Sequence, residues 1–268
     1  MIGSPLSRRT TVLITLVSLA LIVTAYFVLS EWKHAVNPTD KTIPNLSQLH
    51  DGWMQLWKSR MGEGRWFLID LQASGLRLAC GLAIGVSVAF FLGLFTGCYQ
   101  AGHAAFLPVL SPLSSIPAMA MIAVYYVFVP SGHLMFISMI ALGILPSVEQ
   151  GVRLAVRSIP PGLLDTARMR GASTFEVIAC VIVPQVLPRF VDLTVLAFAG
   201  AMLILLGSEM SIGGGEGIGY RIKLVMLKSE MSMIVPYLAV LALGGIAFTY
   251  AMGFLQKRAF RWYNPEKR

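Results

Sequence analysis

A polar, arginine-rich segment between two hydrophobic runs holds the residues of this sequence that are best suited to contact another molecule. It reads Asp165-Thr166-Ala167-Arg168-Met169-Arg170-Gly171-Ala172-Ser173, and Glu176 follows shortly after it. These side chains offer charges and hydrogen-bonding groups outside the hydrophobic runs. The chemistry that they support is non-covalent recognition, and the sequence predicts a surface on which a partner docks.

The first half of this segment predicts a short helix. Ser158-Ile159-Pro160-Pro161 is typical of a helix start, because proline suits the first turn and serine is a good cap. The helix then covers residues 163–170. Asp165 and Arg168 are three residues apart and can pair on one face.

The second half predicts an elbow and a second helix. Gly171 suits a left-handed helix end, and Ser173 with Glu176 has the S-x-x-E form of a capping box. The second helix is predicted to end at Pro184. The product is a helix, a glycine elbow and another helix.

Two acidic residues lie at the ends of a hydrophobic run and are candidates for a solute pathway. They are Asp192 and Glu209. Acids inside membrane spans usually face the bundle interior or a cavity, so each has either a structural hydrogen-bonded role or a role as a gate. Glu149 has Arg153 four residues later, which predicts a helical ion pair.

Several other chemistries are disfavoured by the pattern. The glycine-rich stretch 213–219 lacks the lysine and the preceding strand of a phosphate-binding loop, so a flexible outer turn is the better interpretation. His103 and His133 fall at opposite membrane faces and cannot share a metal. No nucleophiles, paired carboxylates or metal ligands converge as an enzyme requires, so we predict no catalytic, cofactor or metal site on this chain.

The composition is that of a membrane protein. Apolar residues make up 56% of the 268 residues, charged residues only 13%, and the mean hydropathy is +0.72. The net charge of +8 comes from basic residues at the ends of apolar runs. The positive-inside rule explains that distribution better than nucleic-acid binding does.

Six hydrophobic runs predict an all-α integral membrane protein with six transmembrane helices. The runs are 11–29, 71–97, 104–129, 134–152, 190–207 and 234–255. Lysine and arginine favour the segments that include both termini, which predicts that both termini are cytoplasmic.

The outer loop that follows the first run has apolar residues at near-helical spacing. These are Leu46, Leu49, Trp53, Leu56 and Trp57. They predict either an amphipathic helix at the outer interface or an ordinary surface loop packed on neighbouring helices.

A small residue occurs at every fourth position of the second run. The stripe consists of Gly81, Gly85, Ala89, Gly93 and Gly97. It lets another helix approach closely, either within the subunit or across a dimer.

The third run is interrupted by Pro108, Pro112 and Pro117, which precede Met119 and Met121. Interior prolines remove backbone hydrogen bonds and kink or unwind a helix. The run is therefore either a kinked wall beside a translocation path or a kink that serves helix packing alone.

The arginine-rich segment resembles the EAA loop of ABC importer permeases. Asp165-Thr166-Ala167 corresponds to the glutamate-alanine-alanine triplet, Gly171 to the glycine, and Val181-Ile182-Val183-Pro184 to the tail, with both spacings kept. Asp165 shortens the usual acid and Thr166 replaces an alanine.

A finer resemblance, over roughly residues 70–262, is to the nitrate/sulfonate/taurine branch of these permeases. It is carried by Leu107-Pro108 through Ile116-Pro117, by Gly171-Ala172-Ser173, and by Glu209-Met210 with Gly217-Ile218-Gly219-Tyr220. A proline usual after Ala120 is missing, and Val129-Pro130-Ser131-Gly132-His133 replaces a glycine-rich turn.

The resemblance implies a type I ABC importer permease fold with a cytoplasmic coupling helix, in the inner membrane of a prokaryote. It also implies a homodimer, two cytoplasmic ATPases that use ATP and Mg²⁺, and an extracytoplasmic solute-binding protein. The solute would be a small anion such as a sulfonate, taurine or nitrate. Phosphonate, aromatic or vitamin-like nutrients are alternatives, and a secondary transporter would instead show matching repeats and mid-membrane charges.

The residues expected to dock on the ATPase are Asp165, Thr166, Ala167, Arg168, Arg170, Gly171, Ala172, Ser173 and Glu176. Those expected along the pathway or at a gate are Pro117, Met119, Met121, Asp192 and Glu209. We divide the chain into an anchor helix with an outer loop (1–70), a core permease domain (71–262) that contains the coupling loop (158–184), and a cytoplasmic tail (263–268).

Overall fold

The computed structural model describes residues 7–38, 41–57, 66–228 and 230–263, and over these ranges the protein is all-α without a strand. Its helices are α1 Arg8–Val36, α2 Leu46–Trp57, α3 Trp66–Cys98, α4 Gln100–Ser115, α5 Ile122–Phe128, α6 His133–Arg157, α7 Pro161–Met169, α8 Thr174–Glu176, α9 Val183–Ile212, α10 Ile218–Leu227 and α11 Met231–Ala259. A 3₁₀ turn, Ala118–Met121, precedes α5, and a π-helical segment, Val177–Ile182, joins α8 to α9.

Five of the described helices are long and apolar enough to cross a membrane, and the bent pair α4–α5 brings the number to six if it counts as one span. The predicted all-α membrane fold is therefore confirmed. The helices extend beyond the apolar runs at their ends, because polar residues continue a helix past the hydrocarbon layer. Residues 264–268, most of the predicted tail, lie outside the described ranges.

Backbone contacts divide the chain into two units. One comprises residues 1–66 with 224–239, and the other comprises 67–223 with 240–268. This division describes packing, so the proposed anchor, core and tail remain a prediction.

In the first unit, the chain after α1 folds back onto that helix. Tyr26 Oη donates a hydrogen bond to Pro44 O at 2.8 Å, and Ser30 Oγ, which is buried, donates to the same carbonyl at 3.2 Å. The outer apolar pattern forms the helix α2. Its Gly52 lies so close to the Ser232 carbonyl that a Cβ atom would overlap it, so α2 is packed on a neighbouring segment.

In the second unit, α6 is the central helix and the small-residue stripe of α3 packs against it. About 61% of the apolar window of α6 is buried, the largest share among the candidate spans. Cβ atoms built on Gly81, Gly85, Gly93 and Gly97 would meet the isoleucine and valine side chains of α6 at 2.7–2.8 Å. The stripe therefore serves packing within the subunit.

The third predicted span is broken at one place only. Pro108 and Pro112 lie inside α4, whereas the chain turns by 94° between α4 and the 3₁₀ turn. Ile116 is extended there (φ −95°, ψ 121°), as expected of a residue before proline, and Pro117 follows it.

The predicted helix end at Pro184 is wrong, since one helical path runs from Thr174 to Ile212. The Val183 N–H donates to the Ile178 carbonyl, five residues earlier, in the π-helical segment. Pro184 directly follows this wider turn, and a π turn is a usual local change in the hydrogen-bond pattern where a helix continues through such an interruption. The predicted span 190–207 is the interior of this longer helix.

Candidate functional site

The arginine-rich segment forms the predicted helix, elbow and helix. α7 begins at Pro161, and its N-cap position is Pro160, so Ser158 is not the cap that the sequence suggested. Ser158 ends α6 instead, where its hydroxyl donates to the Ala155 carbonyl at 2.8 Å. The helix covers Pro161–Met169, where the sequence predicted residues 163–170.

Gly171 forms the elbow with a left-handed φ of +86°. The Ala172 N–H donates to the Ala167 carbonyl at 3.1 Å, and the Gly171 N–H donates to the Arg168 carbonyl at 2.9 Å. These two bonds make a complete Schellman motif, which requires a positive φ at its centre. A residue with a Cβ atom, above all a β-branched one, is strained at this position.

The predicted capping box is present at the start of α8. The Glu176 N–H donates to Ser173 Oγ at 3.3 Å, and the Ser173 N–H donates to Glu176 Oε2 at 2.7 Å. The capping box fixes the direction in which the long helical path leaves the elbow.

We expect Ser173→Ala to loosen this helix start by about 1 kcal/mol, because one amide donor loses its acceptor. Hydrogen exchange measured by mass spectrometry should accelerate in peptides that cover residues 171–182. Thr166→Ala, on the exposed surface of α7, is the control for a lost hydroxyl. Unchanged exchange in Ser173→Ala would contradict the role of the cap.

α7 buries none of its residues and presents a mixed surface. Leu164 and Ala167 pack against the core, whereas Leu163, Met169 and Phe175 are 48%, 81% and 77% exposed.

The predicted pair of Asp165 and Arg168 is confirmed as an exposed contact of 3.8 Å. Arg170 is also exposed. Apolar and charged groups thus surround the elbow without a cover from the described chain.

A second cluster lies at the opposite end of α9, and its central cation was missed by the sequence reasoning. Arg77 lies within the second predicted span. Its Nη1 donates to Glu209 Oε1 at 2.7 Å, and the two side chains are 3% and 0% exposed. The Arg77 guanidinium also lies 4.4 Å from the centre of the Phe136 ring, and its Nε donates to His133 Nδ1 at 3.3 Å. A hydropathy average over the run does not reveal Arg77, because the residues around it are apolar.

The same face of α3 binds the glycine-rich turn that precedes α10. The Gly217 N–H donates to Asp70 Oδ1 at 2.9 Å, and the Ile218 N–H donates to Ser74 Oγ at 2.8 Å. Arg221 Nε donates to Asp70 Oδ2 at 2.7 Å. Asp70, Ser74 and Arg77 recur at helical spacing, which is the sequence signal that could have revealed them.

The cluster around Glu209 is closed rather than open to a solute. Glu209 also accepts hydrogen bonds from Ser74 Oγ and from the Gly219 N–H, and its side chain has no exposed surface. Gly213, Gly215 and Gly217 have positive φ angles, so the turn depends on glycine for its shape. The geometry is that of an anchor for the turn.

Asp192 lies near the other end of α9, 17 residues before Glu209. It accepts hydrogen bonds from Gln256 Nε2 at 2.7 Å and from Tyr263 Oη at 3.2 Å. Burial, and then the negative charge of Asp192, raise the pKa of the Tyr263 phenol. Asp192 thereby holds the chain that follows α11.

The other predicted pathway residues lie around the broken span. Pro117 sits at the bend, and Met121 lines an apolar cavity of about 250 Å³ with Leu113 and Tyr125. Met119 instead packs against Gly207 of α9. The structure therefore does not gather the five predicted pathway residues into one site.

The predicted ion pair in α6 is confirmed, with Arg153 Nε 3.3 Å from Glu149 Oε1. The sequence did not indicate that Thr96, fully buried on α3, also donates to this carboxylate. Among the described residues no group of three or more histidine, cysteine or acidic side chains could hold a metal ion.

Residues 81–265 match the family described as the inner membrane component of binding-protein-dependent transport systems. A Bacillus subtilis permease named for aliphatic sulfonate transport, SsuC, is 24% identical over 72% of this chain and 70% of its own length. An ABC transporter permease protein of Methanocaldococcus jannaschii is 20% identical over 69% of this chain and 70% of its own length.

Solved structures of similar fold include ABC transporters. An inward-facing MetNI methionine transporter has a TM-score of 0.60 at 19% identity, over 77% of this chain and 97% of that chain. A bacterial alginate transporter in complex with an alginate-bound periplasmic protein has a TM-score of 0.59 at 15% identity, over 94% of this chain and 96% of that chain. At these identities the likeness shows the fold, which is that of type I importer permeases.

Proposed function

The chain belongs to the family of inner membrane components of binding-protein-dependent transport systems, and we propose that α7 and its Gly171 elbow couple solute import to a separate ATPase. The observation that carries the proposal is the uncovered surface around the elbow. Leu163, Met169 and Phe175 are exposed there next to charged side chains. Such a mixed patch on a rigid helix fits a groove in a partner.

The proposed assembly contains two copies of this chain, two ATPase subunits and an extracytoplasmic solute-binding protein. ATP and Mg²⁺ belong to the ATPases, because this chain has no phosphate-binding loop. Both termini and α7 lie on the cytoplasmic side of a prokaryotic inner membrane. The excess of basic residues near these segments supports that orientation.

The proposed mechanism is alternating access. Closure of the two ATPases draws both copies of α7 together, and the continuous path from Thr174 to Ile212 carries that movement through the membrane. Rocking of the helices opens the central cavity toward the binding protein. Opening of the ATPases reverses the movement.

The proposed solute is a small anion such as a sulfonate, taurine or nitrate. The resemblance of the proline-rich third run and of Gly171-Ala172-Ser173 to that branch supports it, as does the similarity to the aliphatic sulfonate permease. Binding measurements on the cognate solute-binding protein test this part directly.

Replacing Gly171 by valine should uncouple ATP hydrolysis from uptake. The φ of +86° is strained for valine by about 1–2 kcal/mol, which corresponds to roughly a tenfold loss of the correct elbow. The measurement is the amount of solute taken up per ATP hydrolysed by the complete transporter in proteoliposomes, and we expect it to fall about tenfold.

Gly244→Val is the matched control, because Gly244 lies exposed on α11, outside the proposed coupling surface, with no atom within 4 Å of a built Cβ and without a positive φ. It should leave the ratio of uptake to hydrolysis close to that of the wild type. Normal coupling in Gly171→Val, or no association of this chain with an ATPase, would overturn the proposed function.

A further inference from the structure

A polar pocket of about 120 Å³ lies between α4 and α6, and none of the roles described above uses it. Its polar lining comes from His103, Ser111, Ser114, Glu149, Gln150 and Arg153. The apolar cavity at the bend of the third span has a different lining. A pocket of this size accommodates a group of a few heavy atoms.

Arg153 is the charged donor in this pocket. Its side chain is only 13% exposed, and its Nε is buried. The contact of 3.3 Å with Glu149 Oε1 supplies opposite charge, but Nε does not form a hydrogen bond with it or with any other described residue. A guanidinium carries five N–H donors, and a buried donor without an acceptor is costly. The Nη groups of Arg153 form no hydrogen bond to a described residue either, so the guanidinium has donors available for an acceptor in the pocket.

Glu149 holds the Arg153 side chain in place and offsets part of its positive charge. Thr96 and Arg153 both contact the same oxygen of Glu149, whose side chain is 3% exposed. A carboxylate held from two helices cannot move away from the arginine. It lowers the net positive charge, so an anion binds weakly enough to leave again, as a transport site requires.

α4 lines the pocket with Ser111 and Ser114, and the first of these supplies a hydroxyl donor. Ser111 and Ser114 are exposed although they lie within an apolar span. Ser114 Oγ donates to the Ser111 carbonyl at 2.8 Å, whereas the Ser111 hydroxyl has no hydrogen bond to a described residue. Polar residues at membrane depth face the bundle interior or a water-filled cavity. This face of α4 is therefore suited to an aqueous path.

We propose that the pocket is a subsite for the oxyanion group of a small solute, with Arg153 as the charged donor and Ser111 as the hydroxyl donor. A sulfonate, carboxylate or phosphate group presents the planar or tetrahedral oxygens that a guanidinium fork binds. The proposal rests on the proposed function, because it assigns part of the pathway of the same permease.

The test is equilibrium binding of radiolabelled methanesulfonate to the permease–ATPase complex in lipid nanodiscs, without the solute-binding protein. We expect saturable binding whose affinity falls at least about tenfold in Arg153→Gln, since hydrogen bonds to a charged group are lost. Ser111→Ala should weaken it about two- to tenfold. Arg157→Gln, one helical turn further on and outside the pocket, is the matched control and should bind normally.

Ser111→Ala alters an exposed side chain, so it keeps the test decisive if Arg153→Gln does not assemble. Displacement by unlabelled methanesulfonate but not by phosphate identifies the transported solute as the source of the oxyanion, and equal displacement identifies cytosolic anions. Absence of saturable binding, or wild-type affinity in both variants, overturns the subsite. Co-elution with the ATPase and hydrolysis stimulated by the binding protein report separately on the proposed function.

Discussion

Arg77→Met is expected to lower the free energy of unfolding by about 3–5 kcal/mol, because it leaves the buried Glu209 carboxylate without its cation. Glu209 has no exposed side-chain surface, so water cannot replace the arginine. The Glu216 carbonyl, which accepts from Arg77 at 2.9 Å, loses a donor in the same variant. Denaturant titration of the purified protein in mild detergent, followed by circular dichroism, measures the change.

Arg168→Met is the control for the loss of an ion pair. Its contact with Asp165 is more than 60% exposed on both sides, so the free energy of unfolding should change by less than about 1 kcal/mol. Adding Glu209→Gln to Arg77→Met should recover part of the loss, since the amide carries no charge. An Arg77→Met protein as stable as Arg168→Met would refute the buried anchor.

Gly93→Ala is expected to destabilise the protein by about 1–3 kcal/mol through overpacking. The added Cβ would lie 2.7 Å from Val152 Cβ and 2.9 Å from the Glu149 carbonyl oxygen. A backbone oxygen cannot rotate away as a flexible side chain can, so α3 and α6 must separate. The same denaturant titration measures the loss.

Gly75 provides the matched control, because it lies on the same helix with no atom within 4 Å of a built Cβ. Gly75→Ala should be neutral or stabilise the protein by up to about 1 kcal/mol through helix propensity. The prediction for the stripe fails if the two alanine variants have equal stability.

The features that could be predicted from the sequence are those that depend on a few neighbouring residues. The Gly171 elbow and the Ser173–Glu176 capping box are local motifs whose hydrogen bonds span at most five residues, and both are present. Long apolar runs likewise identified the spanning helices. The stripe on α3 indicated close packing, but whether the partner lay in the same subunit required coordinates.

The pairing of Arg77 with Glu209 and of Asp70 with Arg221 could not be predicted, because the partners are distant in the sequence. Arg77 and Glu209 are 132 positions apart, and Asp70 and Arg221 are 151 apart. The mean hydropathy of a run stays high when it contains one arginine among apolar residues. Arg77 is accordingly absent from the site residues that the sequence predicted.

Prolines predicted the helix ends and bends only in part, because the effect of a proline depends on the hydrogen bonds around it. Pro184 was expected to end a helix, but the helical path continues past it and contains a π-helical segment directly before the proline. Pro108 and Pro112 remain inside α4, and only Pro117 coincides with a sharp bend. Counting prolines could not distinguish these cases.

The π-helical segment at Val177–Ile182 has a further consequence for the ends of the path in which it lies. The path from Thr174 to Ile212 has 39 residues, or roughly 58 Å. The capping box lies at its start and Glu209 lies near its far end. A π turn accommodates one surplus residue, and each residue of an α-helix advances by about 100°. Deleting one residue from this segment would therefore turn every later side chain of the path, Glu209 included, by about 100° relative to the capping box.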